Sequence, residues 1–265
     1  MSTLLYLFLA HLGIGIAFTL LIVSKAAGIK FFRFNAGLAA ALVAAALAFR
    51  PAPGAVGAAA ASRAALVALG VSLFCLTVYW IIAGRAWGWL RPPLAIVAAL
   101  TGAGAIVMHG LSLSGEVTGG TLTAASAVSS AALLGVTCTA MILGHWYLIL
   151  PSMEIRHLQR IVLFHIATLI ARASVVVAVL MLAVGASIGA GVSIRRYVSS
   201  IDGIFFWQRV LFGLVIPAVL SYLTWETAKI RSTQSATGIL YVDFFTVIVG
   251  EVLATYVLLS TGLAV

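Results

Sequence analysis

The sequence predicts an all-α integral membrane protein, a helical bundle of about eight transmembrane helices. Three observations carry this. The 265 residues are 63% hydrophobic and only 8% charged, with a mean hydropathy of +1.21, whereas a soluble domain carries about 25% charged residues. Apolar runs of spanning length recur along the whole chain, at about 4–24, 35–49, 64–83, 93–112, 122–150, 158–185, 204–228 and 236–263. The basic residues sit singly or in pairs between those runs, as topology signals do. Eight spans of roughly 20 residues consume the chain, so residues 1–265 read as a single transmembrane domain.

The first run follows a start with no basic residue and exceeds a signal-peptide core. Its first positive charge, Lys25, comes after it, as expected of a retained span. The second run is short and rich in alanine. Turn-forming residues separate the spans: Arg50-Pro51-Ala52-Pro53-Gly54, Arg91-Pro92-Pro93, Gly119-Gly120 and Pro151. Pro217 falls in the middle of the seventh run and is expected to kink it. Ser235 is the expected N-cap of the eighth. Small residues are dense within the spans, which allows helices to approach closely in lipid.

Orientation follows from the basic residues near span ends. Loops after spans one, three, five and seven hold nine of them: Lys25, Lys30, Arg33, Arg85, Arg91, Arg156, Arg160, Lys229 and Arg231. Loops after spans two, four and six hold four: Arg50, Arg63, Arg195 and Arg196. The first set is therefore expected inside, with both termini on the outer (periplasmic) side of what reads as a bacterial inner membrane. The net charge of +9 and pI of 10.2 do not imply a nucleic-acid partner, because the charges are dispersed. Cys75 and Cys138 fall mid-span and belong to no CxxC, so they read as buried small hydrophobes. The sequence contains no Walker loop, no GxGxxG opening a helix, no HExxH and no GxSxG elbow. These absences argue against an ATPase, a nucleotide-dependent dehydrogenase and a zinc protease.

Ionisable side chains inside a bilayer cost roughly 2.5–3.5 kcal/mol each on insertion scales. Within the spans they are His11, His109, His145, His165, Arg172, Arg209, Glu226, Asp243 and Glu251. At 1.5 Å per residue, His11 lies roughly 10 Å and His109 roughly 5 Å below the outer surface. His145 lies roughly 8 Å and His165 roughly 10 Å from the inner one. One outer and one inner pair, each split between two helices, is the spacing of two stacked bis-histidine haems. The metal-ligand expectation is therefore His11 with His109 and His145 with His165, holding one or two haems b. Arg209 is the candidate partner of an outer propionate, as are Arg195 and Arg196. The alternative reading of the same histidines is interhelical hydrogen bonding.

At the inner interface, His145, Trp146 and Tyr147 supply the flat walls and donors of a quinone site, with Glu226 and Asp243 as carboxylates for protons. An aromatic anchoring belt explains the same residues without a ligand. His165 and Arg172, seven residues apart, share a helix face. Arg172 needs a partner at its depth, and Glu251 is expected to form a structural ion pair with it. Eight spans with interior histidines resemble membrane anchors of respiratory oxidoreductases, such as polysulfide-reductase-type quinol subunits and diheme b-type cytochromes. The resemblance is one of architecture and carries over no residue.

The leading expectation is a membrane subunit of a respiratory-type electron-transfer complex, binding haem b, quinone or both and working beside other subunits in the lipid bilayer. Two alternatives stay open: a secondary transporter or ion channel using Arg172, Asp243 and Glu251, and a scaffold subunit without cofactor.

Overall fold

Every backbone polar group in a lipid-exposed segment must be satisfied within the protein, which leaves helices as the economical solution for this composition. The computed structural model describes residues 1–50, 59–85, 87–113, 118–150, 152–183, 187–188 and 192–265. Its long helices are α1 (Ser2–Thr19), α2 (Gly28–Ala48), α3 (Ala59–Ile82), α4 (Arg91–Ser112), α5 (Gly119–Ile149) and α6 (Arg156–Ala183). After a two-stranded hairpin, β1 (Ser187–Ile188) with β2 (Val192–Ser193), comes the short helix α7 (Ile194–Ser199). The last two spans are α8 (Ile204–Lys229) and α9 (Thr233–Thr261). Among the described residues, eight helices are long and apolar enough to cross a membrane. Pro51, Ala52, Pro53, Gly54 and Pro151, read above as punctuation, lie outside the described residues, as do the last two positions of the sixth run and the side chain of Arg195.

α5 is the most enclosed span. It packs against α1, α4, α6 and α9, while α2 lies on α1, α3 on α4, and α8 on α6 and α9. The approach of α1 to α5 is set by Gly15 and Gly135. A Cβ on either would run into the backbone of the other helix, so only hydrogen fits on both sides. The same relation joins α8 to α9 through Gly213 and Gly250.

Three local features differ from the sequence reading. The second span begins at Gly28, not near residue 35, after a 3₁₀ turn at Lys25–Ala27. Lys30 and Arg33 are exposed in its first turns while Phe31, Phe32, Asn35 and Ala36 are buried, so the charges reach the interface from an amphipathic start. Arg33 also lies over the Trp80 ring, 5.7 Å from its centroid. Gly28, with φ of 80°, makes the sharp entry into this helix.

The eighth span begins at Thr233 with Ser232 as its N-cap residue, and Ser235 is inside the helix, accepting a hydrogen bond from the Ser232 hydroxyl at 3.0 Å. Arg231, at φ 58°, turns the chain into the helix earlier than the capping pattern suggests. The break attributed to Pro217 is a π-helical turn at Leu211–Val215, immediately preceding the proline. Proline supplies no N–H to the preceding turn, and a widened turn is one way a helix accommodates that loss.

Candidate functional site: a file of polar groups inside the bundle

The charged residues of the last spans converge on α5. Arg172 of α6 and Glu251 of α9 form a two-pronged pair, with Nε to Oε1 and Nη2 to Oε2 both at 3.0 Å. This fork geometry is specific to guanidinium and carboxylate. Arg172 Nη1 donates to the Ser126 hydroxyl at 2.7 Å and to its carbonyl at 3.3 Å, and Nη2 also donates to the Val265 carbonyl oxygen at 3.0 Å. Arg209 of α8 reaches Glu251 Oε1 from another side at 3.3 Å. Both arginines and the glutamate are buried, Arg209 completely, and Arg209 Nε and Nη1 have no protein partner. His11 Nδ1 lies 3.2 Å from the Ser130 hydroxyl oxygen. His11 Nε2 is buried with no protein partner.

About 10 Å along α6, two turns away, stands a second cluster. His165 Nε2 lies 2.8 Å from Asp243 Oδ2, and both side chains are 0% exposed. The two atoms are in ion-pair contact, and Asp243 Oδ1 has no protein partner. Thr137 fixes the tautomer: its hydroxyl donates to the Leu133 carbonyl at 2.7 Å, so at 3.0 Å from His165 Nδ1 it can only accept. Nδ1 therefore carries a proton, and Nε2 faces the carboxylate. Two lone pairs at 2.8 Å repel each other. A single proton, on Nε2 or on Oδ2, converts that repulsion into attraction.

The file continues toward both ends. At one, Tyr6 donates to His109 Nε2 at 2.8 Å while His109 Nδ1 donates to the Ala105 carbonyl at 3.0 Å. Toward the other, Thr19 and Thr139 share a hydrogen bond of 2.7 Å. α5 supplies the rungs: Ser126, Ser130 and Thr137 are four and seven residues apart and lie on one face. That spacing was the available sequence signal for them, hidden because hydroxyl residues occur throughout this helix.

Each expected haem ligand has a protein partner of its own. His11 faces Ser130, His109 has both ring nitrogens engaged by Tyr6 and Ala105, and His165 is held between Thr137 and Asp243. His145 is exposed, with Nδ1 3.2 Å from the Tyr241 hydroxyl. Axial ligation needs an open imidazole nitrogen on each side of the iron; both ring nitrogens of His109 are hydrogen-bonded, and His165 Nε2 stands 2.8 Å from a carboxylate. Arg209 faces Glu251, where a propionate partner was expected.

The quinone cluster also fans out, because consecutive helical residues point about 100° apart. Trp146 packs edge-on against Phe31 with centroids 5.7 Å apart. Tyr147 is buried, donating to the Glu154 carbonyl at 2.6 Å and accepting from the Leu158 N–H at 3.1 Å, which ties the loop between α5 and α6 to α5. Glu226 is outside the file altogether, paired with Lys229 at 2.7 Å on an exposed face. Among the described residues, no three His, Cys, Asp or Glu side chains gather as a metal site.

No family model matches the sequence, and no curated protein matches it. The geometry of the site therefore carries the functional reading.

Proposed function

We propose that this chain is a proton-conducting membrane transporter in which the His165–Asp243 pair binds the transported proton. The observation that carries the reading is the complete burial of a histidine and a carboxylate 2.8 Å apart, with the second carboxylate oxygen unpartnered. An ionisable group at this depth is costly and marks a proton or ion pathway when it is not fully paired. Asp243 is not fully paired, whereas Glu251 is held as an anion by two guanidinium groups. The His165–Asp243 pair is thus the proton-binding element, and the Arg172–Glu251–Arg209 cluster is a fixed electrostatic barrier, since guanidinium groups across a path oppose a cation.

A second feature supports transport over scaffolding. α8 loses its α-helical pattern at Leu211–Val215, next to Arg209 and against Gly250 of α9. Helices interrupted near the midplane are a recurring element of transporters, and π turns concentrate at functional sites. A rearrangement of this turn would move Arg209 relative to Glu251 and open or close the file.

The test is proton flux into liposomes carrying the purified chain, read with an internal pH-sensitive dye under a potassium diffusion potential. Flux in the wild type that falls to the protein-free rate in Asp243→Asn, with folding retained, supports the reading. Wild-type flux no higher than that of empty liposomes, or equal flux in the variant, overturns it.

The electron-transfer reading keeps one observation in its favour, the exposed His145–Tyr241 contact beside Trp146 at the membrane-interface end of α5. A reduced-minus-oxidised spectrum with a b-type band lost in His145→Ala would favour it over proton transport.

A further inference from the structure

The ends of α1–α4 on the Lys25 and Arg91 side enclose a cavity of about 450 Å³, within the size range of small-ligand pockets. Its inner wall is apolar, formed by Leu20, Phe32 and Ala95, all buried. Toward the outside stand Leu21 and Ile29, 43% and 39% exposed, so the cavity opens laterally along an apolar edge. Its polar lining is Lys25, Arg91 and the Tyr79 side chain, and the described lining residues include no carboxylate. Arg91 is set in place by its Nε, which donates to the Gly88 carbonyl at 3.2 Å. That bond leaves its two Nη groups for an acceptor from outside the fold. Trp87 and Trp89, 66% and 73% exposed, flank the same loop. Indoles so placed settle at headgroup depth, which puts the cationic mouth level with lipid phosphates and the apolar wall level with acyl chains.

We propose that this cavity is a binding site for one anionic phospholipid, its phosphodiester held between Lys25 and Arg91 and an acyl chain lying along Leu21 and Ile29 against Leu20 and Phe32. Charge complementarity selects the occupant: two cations without a counter-charge favour an anionic headgroup over a zwitterionic one. The lateral opening favours a lipid over a soluble phosphate. The site is separate from the His165–Asp243 pair, which lies between α6 and α9.

The experiment is native mass spectrometry and thermal unfolding of the delipidated full chain in neutral detergent, with phosphatidylglycerol, phosphatidylcholine or inorganic phosphate added. Phosphatidylglycerol is expected to be retained as a single copy and to raise the melting temperature, with phosphatidylcholine retained at least tenfold less. The double substitution Lys25→Gln with Arg91→Gln is expected to cut retention about tenfold. Lys229→Gln with Arg231→Gln, which removes as much charge from other loops, is expected to leave it unchanged. Equal retention of both lipids, equal loss in the two double variants, or equal protection by inorganic phosphate would overturn the proposal. Lys25 is exposed and Arg91 half-buried at a helix start, so both double variants can be checked for folding by size-exclusion profile before lipid is added.

Discussion

Asp243 and His165 face each other across α9 and α6 at 2.8 Å, and the Thr137 hydroxyl behind the imidazole forces its second nitrogen toward the carboxylate. A proton between them is the only arrangement that removes the lone-pair repulsion. Asp243→Asn keeps the volume and removes the charge. It is expected to abolish proton flux while changing stability by less than the cost of an unpaired buried polar group, about 1–3 kcal/mol, since the new amide can donate to His165 Nε2. Liposome flux and thermal unfolding, measured on the same preparation, separate the two effects. Thr137→Val should act more weakly in the same direction, because it frees the His165 tautomer without removing the pair.

The pair between Arg172 and Glu251 should behave in the opposite sense, as a structural element. Removing one member of a buried ion pair strands the other and costs about 3–5 kcal/mol, whereas replacing both by apolar residues is often neutral. Glu251→Gln is expected to be strongly destabilising, and more so than a single mutation at a lone ion pair, since Arg209 loses its partner too. Arg172→Lys should also destabilise, because an ammonium cannot reproduce the fork. Cys75 and Cys138 are buried free thiols, so a thiol-reactive fluorophore reports the unfolding temperature directly.

The spans were legible because twenty apolar residues in a row have few other uses. The second was read too short, since its first turns carry Lys30 and Arg33 on an exposed face that a hydropathy window averages into the loop. The depth of Arg172 and Glu251 was legible from residue counting, and so was the need for a partner. What counting could not give was azimuth. His11 and His109 share a depth layer, yet one faces Ser130 and the other Tyr6. Arg209 sits near the outer end of its span by sequence but faces Glu251, beside the π turn that precedes Pro217. Ser126, Ser130 and Thr137 supply much of the polar lining, and in a helix this rich in serine and threonine their common face is visible only once the partner helices are known.

Glu226 provides the control for the carboxylate argument. It was grouped with Asp243 by depth, but it lies at 42% side-chain exposure beside Lys229, where ion pairs contribute little. Glu226→Gln is expected to change stability by less than about 0.5 kcal/mol and to leave flux at the wild-type rate. A loss of flux comparable to that of Asp243→Asn would move the proton entry point to the interface.

The contact between Gly213 in the π turn and Gly250 on α9 links local packing to the barrier cluster. A side chain at Gly250 would meet the Gly213 backbone, and one at Gly213 would meet both Gly250 and the Arg209 guanidinium. Backbone cannot yield as a flexible side chain does, so Gly250→Val must push α8 away from α9, with overpacking that costs about 1–3 kcal/mol. That displacement lengthens the Arg209–Glu251 contact, already 3.3 Å, before it affects the shorter Arg172–Glu251 fork. The variant is therefore expected to unfold at lower temperature and, if Arg209 is the movable part of the barrier, to leak protons faster than the wild type. A variant that is destabilised but leaks no faster would assign the barrier to Arg172 alone.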